Sequence, residues 1–381
     1  MMWIALKMLT GDRSKYLAII FGVTFACFLI DEQSAIFFGV MRRTTSQIRD
    51  THGADIWVMN SGVRYVDDLK AISDDDVFRV RSVPGVAWAV NLYRGQAQAQ
   101  LASGNYQGVI LMGVDDATLV GAPSRMLMGR LGDLQIPDAV IVDEAGFHQL
   151  WPGEPLQTGK VFEMNDCRSV LVGIFPSSQT FMTLPVVYTR LSQATLFVPP
   201  YRRMTPFVLV KCQPGLSAEE VAARIEAQTG LKALTKDGFV WLTMMYYLQH
   251  TGIPVNFGTT VILAFLVGCA IAGQTFYLFT VENLRQFGTL KAMGVSDRGV
   301  VTMILTQAFL VSGIGYGVGV GLATLYGILA QRQMPLLAFY LPWQILAISA
   351  ALVLLIALAS SLLSIRRVLI LEPAAVFQGV A

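Results

Sequence analysis

Residues 257–280, FGTTVILAFLVGCAIAGQTFYLFT, hold no charged side chain over 24 positions. A helix needs about 20 apolar residues to cross the hydrocarbon core of a bilayer, so this stretch reads as a membrane span. Segments 16–41, 300–329 and 345–365 read the same way, whereas 42–256 is water-compatible throughout. The expected fold is therefore a membrane protein of four transmembrane helices, with a large α+β extracytoplasmic domain inserted between helices 1 and 2.

The flanks orient the spans, because short cytoplasmic loops retain Lys and Arg during insertion. Lys7, Arg13 and Lys15 lie in segment 1–15, Arg285, Lys291 and Arg298 in segment 281–299, and Arg366 and Arg367 in the tail 366–381. These three segments are expected in the cytoplasm, with both termini inside and the short turn 330–344 outside. Arg42, Arg43 and Arg49 oppose that orientation, but long domains translocate with little regard to charge. The first span reads as a retained anchor, since its apolar run exceeds the 7–15 residues of a signal peptide.

Composition agrees with a bilayer: 54% of the 381 residues are hydrophobic and 14% charged, against about 25% charged in soluble domains. A net charge of +2 carries no nucleic-acid footprint, which needs clustered Lys and Arg.

Strand-like runs rich in Val and Ile occupy 54–59, 107–113, 139–143, 168–175, 185–189 and 207–211. Ser217 with Glu220 forms a capping box opening a helix that Gly230 can close, and Ser73 with Asp76 starts another. Asp74, Asp75 and Asp76 then read as a helix N-terminus favouring negative charge, not as a metal site. Cys167 and Cys212 fall in the external domain, where a disulfide is permitted. Cys27 and Cys269 fall in spans.

The chain shows no catalytic constellation. His52, His148 and His250 are scattered, and no HExxH or GxSxG occurs. The nearest approach to a phosphate loop, Gly153 to Val161, has the wrong spacing and carries Val161 where Ser or Thr must hold magnesium. The chain is not expected to be an enzyme, nor to bind a metal or cofactor of its own.

Two intramembrane features carry information. Gly313, Gly317 and Gly321 repeat at i, i+4, i+8, with Gly315 and Gly319 on the neighbouring stripe, a pattern that lets helix backbones approach closely. Asp31 and Glu32 lie late in the first span. Ionisable groups at membrane depth are functional candidates, here for a substrate-access site, but a helix that projects above the bilayer would leave both simply solvated. Between spans two and three, VENLRQFGTLKAMGVSDR reads as a short amphipathic helix closed by Gly294 and restarted by the Ser296 cap.

Here the chain resembles the permease subunits of the MacB/FtsX superfamily of ABC transporters, most closely the DevC-like branch without a fused ATPase. The resemblance rests on FTVENLRQFGTLKAMGVS at 279–296, the glycine-rich span behind it, and Arg366-Arg367 followed by LEPAAVF at 371–377. GADIWVM at 53–59, VPGV at 83–86 and VIVDEAGFHQLWPG at 140–153 agree. It implies a homodimeric permease in the bacterial inner membrane, coupled to a cytoplasmic ABC ATPase dimer that binds the ATP and Mg. It also implies ATPase coupling through Glu282, Arg285, Phe287, Lys291, Gly294 and Ser296. Membrane lipids, and a periplasmic membrane-fusion adaptor for that branch, are further implied partners. Extrusion of an amphiphile is the leading expectation, and FtsX-like mechanical signalling and lipoprotein release are the alternatives.

Overall fold

A computed structural model describes residues 2–11, 13–176, 178–334 and 336–370. The chain divides into two compact units, one of residues 1–40 with 252–381, the other of residues 41–251.

In the first unit, helix α1 (Met2–Gly11) precedes four long helices, α2 (Arg13–Thr44), α9 (Ile253–Glu282), α11 (Asp297–Gln333) and α12 (Trp343–Leu369), with the short α10 (Leu284–Ala292) between α9 and α11. All four are long and apolar enough to cross a membrane, and each runs two to four residues past its apolar window at either end. Ala26, Cys27, Ala272, Phe276, Val311, Ile356 and Ala357 form their shared core. The outward faces carry Leu17, Phe21, Ile262, Leu266, Leu355 and Leu362, all exposed, as lipid requires and water would penalise. The motif at 371–377 lies outside the described residues.

The second unit comprises α3 (Ser46–Asp50), β1 (Ile56–Met59), α4 (Asp76–Arg81), β2 (Val86–Gln100), β3 (Tyr106–Val114), β4 (Ala139–Asp143), α5 (Glu144–Leu150), β5 (Val161–Met164), β6 (Cys167–Phe175), β7 (Val186–Arg190), α6 (Leu191–Ala194), β8 (Phe207–Cys212), α7 (Ala218–Thr229), β9 (Lys232–Thr235) and α8 (Lys236–His250). The strands follow the order β3-β7-β4-β6-β5-β2-β8-β1-β9, and β3 also pairs with β2, so six strands close a ring. The 15-residue β2 belongs to both parts: Val86–Leu92 pair with β8, and Tyr93–Gln100 pair with β3. Strand β1 shows why its sequence is apolar without a break. Ile56 and Val58 pack with Val80 and Val221 on the α4/α7 side, while Trp57 and Met59 pack with Phe239 of α8 on the other.

Helix α7 begins and ends on the residues that predict it. Ser217 Oγ accepts from the Glu220 amide at 3.4 Å, and Gly230 closes it at φ +72°, a conformation that favours glycine. Helix α4 starts at Asp76, where the carboxylate accepts from the Ser73 amide at 2.9 Å and from Arg79 at 2.8 Å. All four cysteines are free.

The end of α3 is tied to the start of α8. Lys236 Nζ, at the start of α8, donates to the carbonyls of Arg49 and Thr51 at 2.8 and 2.9 Å. Asp50 between them accepts from the Ser178 amide at 2.8 Å and its hydroxyl at 3.3 Å. Burial pushes the Asp50 carboxyl above the usual carboxylate range, and the Ser178 bonds pull it back less strongly. With the folded value above the unfolded one, the folded state holds the proton longer, so this group's contribution is full below the unfolded pKa of about 3.9 and is lost as pH rises through the shifted value. Asp50→Asn is expected to flatten that part of the stability profile in acidic buffers, measured by thermal unfolding across the pH window. An unchanged slope would show that Asp50 does not set it.

Candidate functional site

The connection from α9 to α11 is an ordered element, fastened from below. The Asn283 side chain donates to the Phe279 carbonyl at 2.8 Å and turns the chain out of α9. In α10, Phe287 is fully buried with Leu9, Phe279 and Val300, and Leu290 packs with Ala5 of α1 and Met303 of α11. Helix α1 is held in turn by Gln307, whose amide donates to the Ala5 carbonyl at 2.8 Å. Gly294 adopts φ +95°, and Ser296 Oγ accepts from the Gly299 amide at 3.3 Å to start α11. Lys291 pairs with Asp297 at 3.0 Å and lies 3.4 Å from each of the Val368 and Leu369 carbonyls. A cation there meets the negative end of the α12 dipole. Glu282 closes α9 and pairs with Lys15 of α2.

The residues expected to couple therefore do not share one surface. Phe287, expected among the coupling residues, points into the bundle, and the apolar stripe Leu284, Phe287, Leu290 is the root of α10. Glu282 and Lys291 tie helices together. Arg285, Gln286 and Arg298 are exposed, and so is Met293, with 69% of its surface free. Met293 continues the i, i+3 spacing of that stripe in sequence, and its outward place comes from lying at the cap just past the end of α10.

Asp31 and Glu32 also diverge, as consecutive helical positions must. Asp31 is fully buried. Its Oδ2 accepts from the Cys27 thiol at 3.4 Å, and Ser349 of α12 lies beside the carboxyl group. The other oxygen, Oδ1, has no hydrogen-bond partner among the described residues. Tyr316 of α11 closes the neighbourhood, its hydroxyl donating to the Leu346 carbonyl at 2.9 Å. Glu32, nearly buried, accepts from the Gln33 amide at 2.6 Å. Neither acid is a freely solvated residue, and Asp31 sits inside the bundle.

The glycine stripes separate cleanly. A Cβ on Gly315 would lie 2.8 Å from Val23, and one on Gly319 would lie 2.7 Å from Cys27, closer than side chains tolerate. Thr24 Oγ1 donates across this contact to the Gly315 carbonyl at 3.2 Å. Gly313, Gly317 and Gly321 face open space within 4 Å, so close packing within the chain falls on the neighbouring stripe, a correction of the expected one.

A family model described as MacB-like periplasmic core domain matches residues 16–228, more than half of the chain, and one described as FtsX-like permease C-terminal matches residues 258–373. The chain belongs to the MacB/FtsX permease family. Among the relatives of this MacB/FtsX permease, an uncharacterized ABC transporter permease of Mycobacterium bovis is 31% identical over 120 residues, 31% of this chain and 32% of that one. The match thus spans about a third of that relative's length. An uncharacterized ABC transporter permease of Mycobacterium tuberculosis is 24% identical over 343 residues, 87% of this chain and 86% of that protein. A Staphylococcus haemolyticus permease named for a hemin transport system, HrtB, is 26% identical over 125 residues, 33% and 34% of the two chains. The crystal structure of the periplasmic region of MacB from Actinobacillus actinomycetemcomitans is similar to 54% of this chain over 96% of its own, at 13% identity and a TM-score of 0.36.

Proposed function

We propose that this MacB/FtsX-type chain is the permease half of a DevC-like inner-membrane exporter of amphiphiles. It works as a homodimer, with both termini in the cytoplasm and a separate ATPase dimer seated on α10. The observation that carries this reading is the construction of α10. Phe287 and Leu290 root it in the bundle, and Lys291 ties its end to α11 and α12. Arg285 and Met293 are left outward. An element so fastened transmits displacement to the spans rather than absorbing it. Arginine and methionine are residue types enriched at protein interfaces.

The buried Asp31, with one oxygen unpartnered among the described residues, favours cargo that carries a cationic or hydrogen-bond-donating group. One relative is named for hemin transport, which makes hemin the first cargo to test. Permease and ATPase are reconstituted in proteoliposomes, and hydrolysis is measured with and without hemin. Asp31→Asn with Glu32→Gln removes charge at nearly constant volume. The double variant is expected to keep basal hydrolysis and assembly while losing cargo stimulation about tenfold, or roughly 1.4 kcal/mol. Equal stimulation of variant and wild type would take Asp31 and Glu32 out of the cargo path. Adaptor docking and mechanical signalling to an external enzyme call for no such acid-dependent stimulation.

A further inference from the structure

The second unit carries a groove of about 340 Å³ unrelated to the bundle acids, and its floor follows from the strand register. Along the end of β2, the sequence QAQAQ alternates strictly. Ala97 and Ala99 are buried, while Gln98 is exposed and Gln100 half-buried on the opposite face. Residues directly opposite in antiparallel strands share a face. Gln100 pairs with Tyr106 on β3 and with Glu163 on β5, and Gln98 pairs with Gly108, which adds no side chain. The floor is thus a row of amides with a carboxylate at one side and a phenol at the other.

Two further segments wall the groove. Asn165 and Asp166 both adopt left-handed backbone, φ +51° and +59°, the conformation of a two-residue hairpin turn, so β5 turns sharply into β6 with both side chains at the rim. The Asn165 amide donates to the Leu196 carbonyl at 3.1 Å, which fixes this turn to the loop that presents Tyr201. Tyr201 and Tyr106 expose 75% and 65% of their surface. No described residue lining the groove is basic.

We propose that this groove binds a neutral oligosaccharide. Each sugar hydroxyl both donates and accepts. A glutamine amide offers both functions and a carboxylate accepts, so Gln98, Gln100, Glu163 and Asp166 match vicinal hydroxyls in pairs. The tyrosines supply flat apolar faces with polar tips, suited to the C–H face of a pyranose ring. Glu163 on the floor and Asp166 at the rim disfavour phosphate and carboxylate ligands. This reading does not depend on export through the bundle.

The test uses the full-length chain in detergent micelles, titrated calorimetrically with chitotetraose, cellotetraose and maltotetraose. At least one tetrasaccharide is expected to bind, with Tyr201→Ala and Gln98→Ala each weakening it about tenfold or more at an unchanged thermal midpoint. Both side chains are surface-exposed, so these variants keep the fold. A second arm presents the preferred sugar as a glycolipid headgroup in phosphatidylcholine vesicles. Binding of soluble sugar alone points to a glycan strand, and tighter binding of vesicles to a lipid-borne headgroup; either supports the site. The proposal is overturned if no tetrasaccharide binds at about 10 mM, weaker than the millimolar end of specific recognition. It is equally overturned if binding is indifferent to Tyr201 and Gln98, or if a basic peptide binds and the sugars do not.

Discussion

Gly319→Leu is expected to abolish recovery of the folded permease, while Gly317→Leu, half a turn away on the same helix, leaves the chain's own fold intact. A Cβ at 319 would meet the Cys27 Cβ at 2.7 Å and the Thr24 carbonyl oxygen at 3.0 Å. The second of these is backbone and cannot swing aside. Overpacking in cores costs about 1–3 kcal/mol and sometimes more, and the branched leucine must also break the Thr24 to Gly315 hydrogen bond. At 317 the added atoms find nothing within 4 Å. Fluorescence-detected size exclusion with a thermal ramp reads both variants. If Gly319→Leu elutes and melts as wild type does, α2 and α11 do not pack as described. A Gly317→Leu variant that melts normally but no longer dimerises would assign the open stripe to a second copy.

Arg285→Glu combined with Met293→Asp is expected to weaken capture of the partner ATPase by about 30-fold or more, since interface hot spots contribute about 2 kcal/mol or more each. Both side chains leave the bundle, so the permease itself should assemble normally. Phe287, by contrast, is unsuitable for this question. Truncating a buried phenylalanine costs about 3–5 kcal/mol, and lost coupling would then report lost structure. Pull-down of the ATPase by the double variant, scored against its thermal midpoint, separates the two effects. Undiminished capture would move the docking surface away from α10.

How much of this was legible follows the physics of each signal. The spans declare themselves because a bilayer demands about 20 apolar residues in a row, a condition written in composition alone. Strands β1, β3, β4, β6, β7 and β8 are visible because both faces are buried or nearly so, giving runs such as ILMG and FVLV. Strand β2, the longest, is less plain: Val86, Trp88, Val90 and Tyr93 are strand formers, but interleaved Ala residues, Asn91 and Gly95 dilute the signal, and past Gly95 only the strict alternation from Gln96 to Gln100 marks it. The short β9 is a half-buried edge with little pattern to show. In the bundle, sequence exposed two glycine stripes of equal spacing, but the choice between them is made by Val23 and Cys27 on a different helix. The same holds for α10, where Gly294 and Ser296 delimit the element and only tertiary contact tells the root, Phe287, from the outward Met293.

Insertion of the 41–251 unit between α2 and α9 matters for inheritance. The two helices that carry the chain out of the bundle and back into it lie side by side at that level, with the Phe37 and Phe257 rings 5.7 Å apart. Inserted domains whose ends lie close together can be exchanged with little disturbance to their host. The external unit therefore has the build of a cassette, free to diverge in its groove and rim at the pace of whatever it meets outside, while the four helices stay constrained by packing against one another.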